Sequence, residues 1–150
     1  MNTNQLIKLL LKDNYTKKIF CGVIPIDQIP IRKVRRPCSF IVNTHISTLP
    51  GEHWFAIYLP KFGKIQYFDS YGLQPTNNWI LNFIKANGSK FIYNSKLIQA
   101  EKSTNCGKFC IFYIYMRSRG YKMKKLLQFF VNNAKLNDYF IEKLFKKIKI

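Results

Sequence analysis

The sequence predicts an α+β domain with a mixed central sheet that is flanked by helices. Its 150 residues, of which 47% are hydrophobic and 16% aromatic, provide enough apolar surface for one core. Two aromatic, β-rich runs joined by a short glycine-containing loop are typical of a β-hairpin. Segments with helical periodicity precede and follow these runs, and no linker, repeat or low-complexity tract separates them. We therefore expect residues 1–150 to form a single domain.

The elements of the first half follow from apolar spacing. A helix is predicted over about residues 3–12, because its apolar residues fall on one stripe: Leu6, Ile7, Leu10 and Leu11. Strands are expected near residues 19–23 and 39–43, and the hairpin occupies residues 53–69.

The second half is predicted to be mainly helical. Asn77 or Asn78 is expected to cap a helix that stops at Gly88, and a strand over residues 91–99 should end at Gln99. The helix that begins at Cys106 has its stop signal at Gly120, and residues 123–150 form two helices with basic outer faces, broken near Asn132 and Asn133.

The hairpin loop determines which side chains share a face of the sheet. A three-residue loop that ends at Gly63, in the left-handed conformation, is a common hairpin connection. Counting outward from this loop, Phe55 faces Asp69 and His53 faces Tyr71. The imidazole and the carboxylate are then diagonal neighbours, about 7–8 Å apart at the backbone. A slip of one residue would place them on opposite faces, so this prediction depends on the loop.

Cys106 is the candidate nucleophile. It begins a run of helical length after a polar loop, with residues 104–105 as the N-cap region. A free thiol has a pKa near ~8.5, and a nearby imidazole or the positive end of a helix would hold it as a thiolate at neutral pH. Gln99, seven residues upstream, offers an amide donor. Together with His53 and Asp69, these groups are a complete set for acyl transfer by a cysteine nucleophile.

Some residues have competing interpretations. His45 is a second imidazole, but no carboxylate lies at hairpin spacing from it, so we expect it in a loop. Glu52 could orient an imidazole in place of Asp69, but adjacent strand residues point to opposite faces. The other cysteines are interpreted as small core side chains: Cys21, Cys38 and Cys110. Two histidines and four scattered cysteines lack the ligand spacing of a zinc site, so no metal is expected.

The order and spacing of these residues resemble the adenovirus maturation cysteine protease (adenain) family, with its virophage and Maverick-type relatives, and more distantly the SUMO-deconjugating cysteine proteases. The matching motifs fall between about residues 19 and 116. They are Phe40-Ile41-Val42-Asn43-Thr44, Gly51-x-His53-Trp54, Tyr67-Phe68-Asp69-Ser70-Tyr71-Gly72, Gln99, and Cys106-Gly107-x-Phe109-Cys110.

The resemblance implies a papain-like or adenain-like fold and a role for each matching residue. Cys106 would be the nucleophile, His53 the general base and then acid, and Asp69 the group that orients the imidazole. Gln99 and the backbone N–H of Cys106 would form the oxyanion hole, and Trp54 would wall the substrate cleft. Asp69 stands where adenain carries Glu, a change of one methylene that is compatible with the same role.

The resemblance also bears on cofactors and partners. Adenain carries, between its acid and its nucleophile, the thiol that links to an activating viral peptide, but this chain has no cysteine between Asp69 and Cys106. We therefore expect no disulfide-linked activating peptide. A monomer without a metal or small-molecule cofactor is expected, and DNA is the activator that the resemblance implies.

The charge of the chain indicates a polyanionic partner. Twenty-five Lys and Arg against seven Asp and Glu give a net charge of +18. Three basic runs are candidate phosphate contacts for double-stranded DNA: Arg32, Lys33, Arg35 and Arg36; Lys122, Lys124 and Lys125; and Lys143, Lys146, Lys147 and Lys149. The alternatives are solvated faces of amphipathic elements and an AT-rich coding genome that enriches lysine.

The function that these observations favour is a viral or virus-like maturation cysteine endopeptidase that cleaves capsid or core precursor proteins and is associated with DNA. The alternatives are a deconjugase of a ubiquitin-like modifier and a basic nucleic-acid-binding protein with a relic triad. No segment reaches ~18 uncharged apolar residues, and the N-terminal residues lack a secretory pattern. We therefore expect no membrane partner and a location inside the host cell and in the virion or virus-like particle.

Overall fold

The computed structural model describes residues 1–148 and has the α+β architecture that the sequence predicts. Five strands form one mixed sheet in the order in which they occur along the chain. They are β1 (Phe20–Pro25), β2 (Cys38–Asn43), β3 (Trp54–Leu59), β4 (Ile65–Phe68) and β5 (Phe91–Tyr93). The pairs β1–β2 and β4–β5 are parallel, whereas β2–β3 and β3–β4 are antiparallel.

Helices cover both faces of the sheet. They are α1 (Thr3–Lys12), α2 (Asn78–Ala86), α3 (Cys106–Ser118), α4 (Met123–Leu127) and α5 (Ala134–Lys147), with short 3-10 helices at Thr16–Lys18 and Ile26–Gln28. None of the helices in residues 1–148 combines the length and the apolar character that a membrane span needs.

The sheet separates two hydrophobic cores. On one face, α3 lies against Ile41, Ala56 and Phe68, and α1, α4 and α5 complete this larger core. Phe68 stacks on Tyr113 of α3 with ring centroids 4.4 Å apart. On the other face, α2 packs against the alternate residues of the same strands, including Phe55. Because both faces are covered, α3 is buried around most of its circumference and its first residue is held firmly at the edge of the sheet.

The predicted hairpin register is confirmed. Strands β3 and β4 pair Ala56 with Phe68 and Tyr58 with Gln66, which is the pairing that a three-residue loop requires. Gly63 in that loop has a φ of 101°, the left-handed conformation that glycine adopts without strain. The register extends to the residues just before β3 and just after β4, where the functional candidates lie.

Three local predictions were wrong. Strand β5 ends at Tyr93 instead of Gln99, because the backbone N–H groups of Ile98 and Gln99 donate to the carbonyl of Ser70 and not to the sheet. Cys21 is exposed, since it lies at an irregularity in the β1–β2 pairing, whereas Cys38 and Cys110 are buried as expected. Leu11 is half exposed and does not join the buried face of α1.

Candidate active site

The hairpin brings His53 and Asp69 together at one end of the sheet. His53 directly precedes β3 and Asp69 directly follows β4, so the two backbones separate just where the side chains meet. The His53 Nε2–H donates to Asp69 Oδ1 at 2.9 Å. This bond sets the ring orientation and leaves Nδ1 for a partner on the opposite side of the imidazole.

Asp69 is held by several further contacts. The carboxylate is 3% exposed, and its Oδ1 also accepts the backbone N–H of Tyr71 at 2.8 Å. The Asn94 side chain binds both polar groups of the Asp69 backbone, accepting from its N–H at 2.8 Å and donating to its carbonyl at 2.6 Å. Asn94 lies 25 residues away in the chain, just after β5. No periodicity or motif in the sequence indicates this clamp.

A tight turn follows Asp69. The N–H of Gly72 donates to the Asp69 carbonyl at 2.8 Å. Gly72 has a φ of 74°, and a Cβ there would lie 2.8 Å from the Lys96 carbonyl carbon. Only glycine meets both constraints, so the turn that carries Asp69 depends on this residue.

Cys106 is the first residue of α3 and faces this pair. A Cβ at Gly107, the next residue, would lie 3.1 Å from Leu6 and 3.6 Å from the Trp54 ring, so this glycine allows α1 and β3 to approach the start of α3 closely. The Asn105 side chain makes no cap bond to α3. The free N–H groups of the first turn therefore contribute a partial positive charge next to the sulfur.

The electrostatics of the pair favour a thiolate and an imidazolium. Burial lowers the pKa of His53, but Asp69 and the Cys106 sulfur outweigh burial and raise it to about 9. Burial likewise raises the pKa of Cys106, and the His53 imidazole with the backbone of Trp54 and Gly107 outweighs this, so that the net pKa lies below its usual value. A proton is thus placed on the ring and withdrawn from the sulfur, as a cysteine nucleophile requires.

Tyr71 forms one wall beside the imidazole. Its ring lies 4.8 Å from that of His53 between centroids, with an angle of 32° between the planes. The predicted register already placed these two residues opposite each other, although it gave Tyr71 no role. A cavity of about 350 Å³ opens between Tyr71, Trp54 and Cys106, which leaves room for an extended peptide at the sulfur.

Gln99 lies beneath the segment that leads to Cys106. It is 1% exposed, its Oε1 accepts from the Ser70 hydroxyl, and its Nε2 donates to the Ser103 carbonyl at 2.8 Å. Because Ser70 fixes which end of the amide is oxygen, the donor end points toward the segment before the nucleophile. One N–H of Nε2 is used by Ser103, and the second N–H is left for another acceptor.

The second imidazole belongs to a different pair. His45 Nε2 lies 2.7 Å from Glu52 Oε2, and both residues are in the loop between β2 and β3. The two histidines are thus assigned to different carboxylates, with Glu52 serving His45. Within residues 1–148, no cluster of three or more His, Cys, Asp or Glu side chains could hold a metal ion.

The basic candidates do not behave alike. Arg36 donates to the carbonyls of Pro60, Gly63 and Asn87 at 2.7–3.2 Å, and so joins the hairpin loop to the end of α2. The structure thus gives Arg36 a structural role in place of the predicted phosphate contact. The other candidates within the described residues are exposed: Arg32, Lys33, Arg35, Lys122, Lys124, Lys125, Lys143, Lys146 and Lys147. Lys149 lies outside the described residues.

Comparisons with known proteins agree with this arrangement. No protein-family profile matches the chain. A cysteine protease of African swine fever virus (Tick/Malawi isolate) is 32% identical over 100 residues, which is 57% of this chain and 37% of the relative. A SUMO-1 cysteine protease of the Pig/Kenya isolate of that virus is 31% identical over 100 residues, with the same shares of each chain. The chain thus matches little more than a third of the length of these viral relatives.

Structure comparison gives the fold. The crystal structure of the African swine fever virus pS273R protease superposes with a TM-score of 0.62 and 18% sequence identity, and the match covers 93% of this chain and 65% of the other. The resemblance to adenain in particular stays a prediction. In sequence the chain is homologous to a viral cysteine protease, and in structure it has the papain-like cysteine protease fold of that enzyme.

Proposed function

We propose that this chain is a viral cysteine endopeptidase in which Cys106, His53 and Asp69 form the catalytic triad. The observation that carries the proposal is the imidazole of His53, which is bound to a buried carboxylate at 2.9 Å on one side and faces the thiol at the start of α3 on the other. Homology to a viral cysteine protease supports the same conclusion.

Each residue has a defined step in the proposed reaction. The Cys106 thiolate attacks the scissile carbonyl carbon, and the negative charge that develops on the carbonyl oxygen is stabilised by the Cys106 N–H and Gln99 Nε2. His53 then donates its proton to the departing amine and later removes a proton from the water that hydrolyses the thioester. Asp69 keeps the ring oriented and stabilises its positive charge throughout.

The proposed substrates are capsid or core precursor proteins. The cavity beside Cys106 is walled by Trp54 and Tyr71, which favours a slender, extended peptide. Relatives in the resembling family favour small residues, often glycine, next to the scissile bond, and a narrow wall of two aromatic rings fits such residues.

A peptide library that contains glycine-rich and glycine-free members tests both proposals. We expect cleavage of glycine-containing peptides by the wild-type protein and none by Cys106→Ala, with Cys110→Ala as the matched control that retains activity. Alkylation with iodoacetamide, followed by mass mapping, should label Cys106 first. A wild-type protein that labels at Cys106 but cleaves no peptide would indicate the relic triad.

Deconjugation of a ubiquitin-like modifier is the second candidate function. It is favoured by the relative that is named a SUMO-1 cysteine protease. A modifier with an electrophilic C-terminus should be captured covalently by Cys106 if this function holds. Capture by the wild-type protein, together with poor cleavage of unmodified peptides, would favour the deconjugase over the maturation protease.

Double-stranded DNA is the proposed partner and activator. The net charge of +18 and the exposed lysines of α4 and α5 support nonspecific binding, and the family resemblance supports activation. Anisotropy with DNA of fixed length should give a log–log salt slope of about −0.9 for each phosphate neutralised. Cleavage of a small peptide should accelerate in the same titration. Absence of binding at low salt would reject the polyanion partner, and binding without acceleration would leave DNA as a scaffold.

A further inference from the structure

Residues 100–105 connect the proposed oxyanion donor Gln99 to the nucleophile Cys106 and have no regular secondary structure. Within this segment, Asn105 precedes α3 but does not cap it, and its side chain points elsewhere. The conformation of the segment decides where the Gln99 amide lies relative to the sulfur, because Gln99 Nε2 donates to Ser103 within it.

One carboxylate on another helix receives hydrogen bonds from the whole length of this segment. Asp138 of α5 accepts the backbone N–H of Ala100 through Oδ2 at 2.8 Å. Its Oδ1 accepts the Ser103 hydroxyl and the Asn105 side-chain amide, the latter at 3.0 Å. The beginning, the middle and the end of the segment are therefore tied to a single side chain 33–38 residues away in the chain.

The helix that carries Asp138 is itself anchored at its start. The Asn133 side chain accepts the Leu136 N–H at 3.1 Å, as a helix N-cap. Buried Asn137 binds both the N–H and the carbonyl of Val131 at 2.9 Å. Asp138 follows directly, so its position is set by a fixed first turn of α5.

The chain is poor in carboxylates, and this makes the position of Asp138 informative. Beyond Glu101, the sequence contains only two acidic residues, Asp138 and Glu142. Glu142 forms an ion pair with Lys108 of α3 at 2.5 Å, about one helical turn further along both helices. Asp138 instead makes its hydrogen bonds to the segment and not to a lysine. Its negative charge strengthens three bonds that a neutral acceptor would make more weakly.

We infer that Asp138 is a positioning residue for the oxyanion hole. It acts through the 100–105 segment, holding Gln99 Nε2 and the Cys106 N–H at the spacing that the tetrahedral intermediate needs. The inference rests on the proposed peptidase function. It assigns to α5 a part in turnover that is separate from activation of the thiol, because Asp138 donates nothing to the His53 and Cys106 pair.

Two variants on the same helix separate this role from a general loss of packing. Asp138→Ala should lower kcat by about tenfold to a hundredfold with little change in KM, because a small misplacement of reacting groups costs up to that factor. Glu142→Gln also removes one negative charge from α5 and breaks the ion pair with α3, but should leave kcat within twofold. Alkylation of Cys106 by iodoacetamide should proceed at the wild-type rate in both variants.

Hydrogen exchange gives a readout that needs no activity. The backbone N–H of Ala100 should exchange at least tenfold faster in Asp138→Ala than in Glu142→Gln, at a temperature where both variants are folded. Asp138→Asn, which keeps one acceptor oxygen, should lie between Asp138→Ala and wild type in exchange and in kcat.

The failure of this inference is distinct from the failure of the proposed function. A wild-type protein with no Cys106-dependent cleavage would overturn the peptidase proposal, and this inference with it. An active wild type whose Asp138→Ala variant keeps kcat within twofold would overturn this inference alone. Equal losses in kcat and in Cys106 alkylation would also overturn it, since they would show a general disturbance of the site.

Discussion

Replacing Asp69 by Asn tests the electrostatic account of the site without removing its geometry. The Asp69 Oδ1 accepts from His53 Nε2 at 2.9 Å and from the Tyr71 N–H at 2.8 Å, and an amide oxygen in the same place can accept both bonds. The Asn94 clamp acts on the backbone and is also unaffected. The substitution therefore removes the negative charge and leaves the ring in position.

The size of the effect follows from the pKa of His53. A rise from 6.5 to about 9 corresponds to roughly 3 kcal/mol of preference for the imidazolium. Asp69 and the Cys106 sulfur both raise the pKa of His53, and Asp69 is the larger contributor. We therefore assign Asp69 about 2 kcal/mol, which corresponds to a roughly 10- to 30-fold shift from the ion pair toward neutral thiol and imidazole.

The pH dependence of Cys106 alkylation measures this shift. In the wild type, the rate should rise with pH through the lowered pKa of Cys106, because the thiolate is the reacting form, and the imidazolium should be lost as pH passes about 9. Both limbs belong to the coupled pair rather than to either residue alone. In Asp69→Asn the imidazolium should be lost at lower pH, and alkylation near neutral pH should fall by roughly 10- to 30-fold.

Two outcomes would refute this reasoning. A profile that is the same for wild type and Asp69→Asn would mean that the carboxylate charge does not support the imidazolium. A loss of alkylation that is accompanied by a large drop in the melting temperature would mean that the substitution disturbs the fold instead of the charge.

Further predictions concern the oxyanion donor, the choice of histidine and the turn after Asp69. Gln99→Ala should lower kcat by about 10²-fold with little change in KM, because its amide is needed mainly once the oxyanion forms; a change in KM alone would place the side chain in substrate binding. His53→Ala should abolish peptide cleavage, whereas His45→Ala should keep most of it, and the reverse order would contradict the hairpin assignment. Gly72→Ala should reduce the free energy of unfolding by at least about 2 kcal/mol in urea titrations, since it adds a backbone clash to an unfavourable φ. Gly63→Ala is its control: φ is also positive there but a Cβ meets nothing within 4 Å, so a loss of about 1 kcal/mol is expected, and equal losses would argue against the clash.

Local sequence signals were sufficient for the hairpin and for the helices that carry most of the candidates. The period-2 pattern and the glycine of a three-residue loop determine the register, because each acts over a few residues. That register placed His53 beside Asp69 and opposite Tyr71 before any tertiary contact was known. The start of α3 at Cys106 was likewise predictable from the polar residues before it and the apolar run after it.

The tertiary structure decided what holds these groups in place. Asn94 binds the Asp69 backbone, Asp138 binds the segment before Cys106, and Arg36 joins the hairpin loop to α2. Each contact spans 25 residues or more and involves a side chain whose sequence neighbours give no periodic signal. Arg36 shows the difference most clearly. In the sequence it belongs to a basic run, and only the fold shows that three backbone carbonyls converge on its guanidinium.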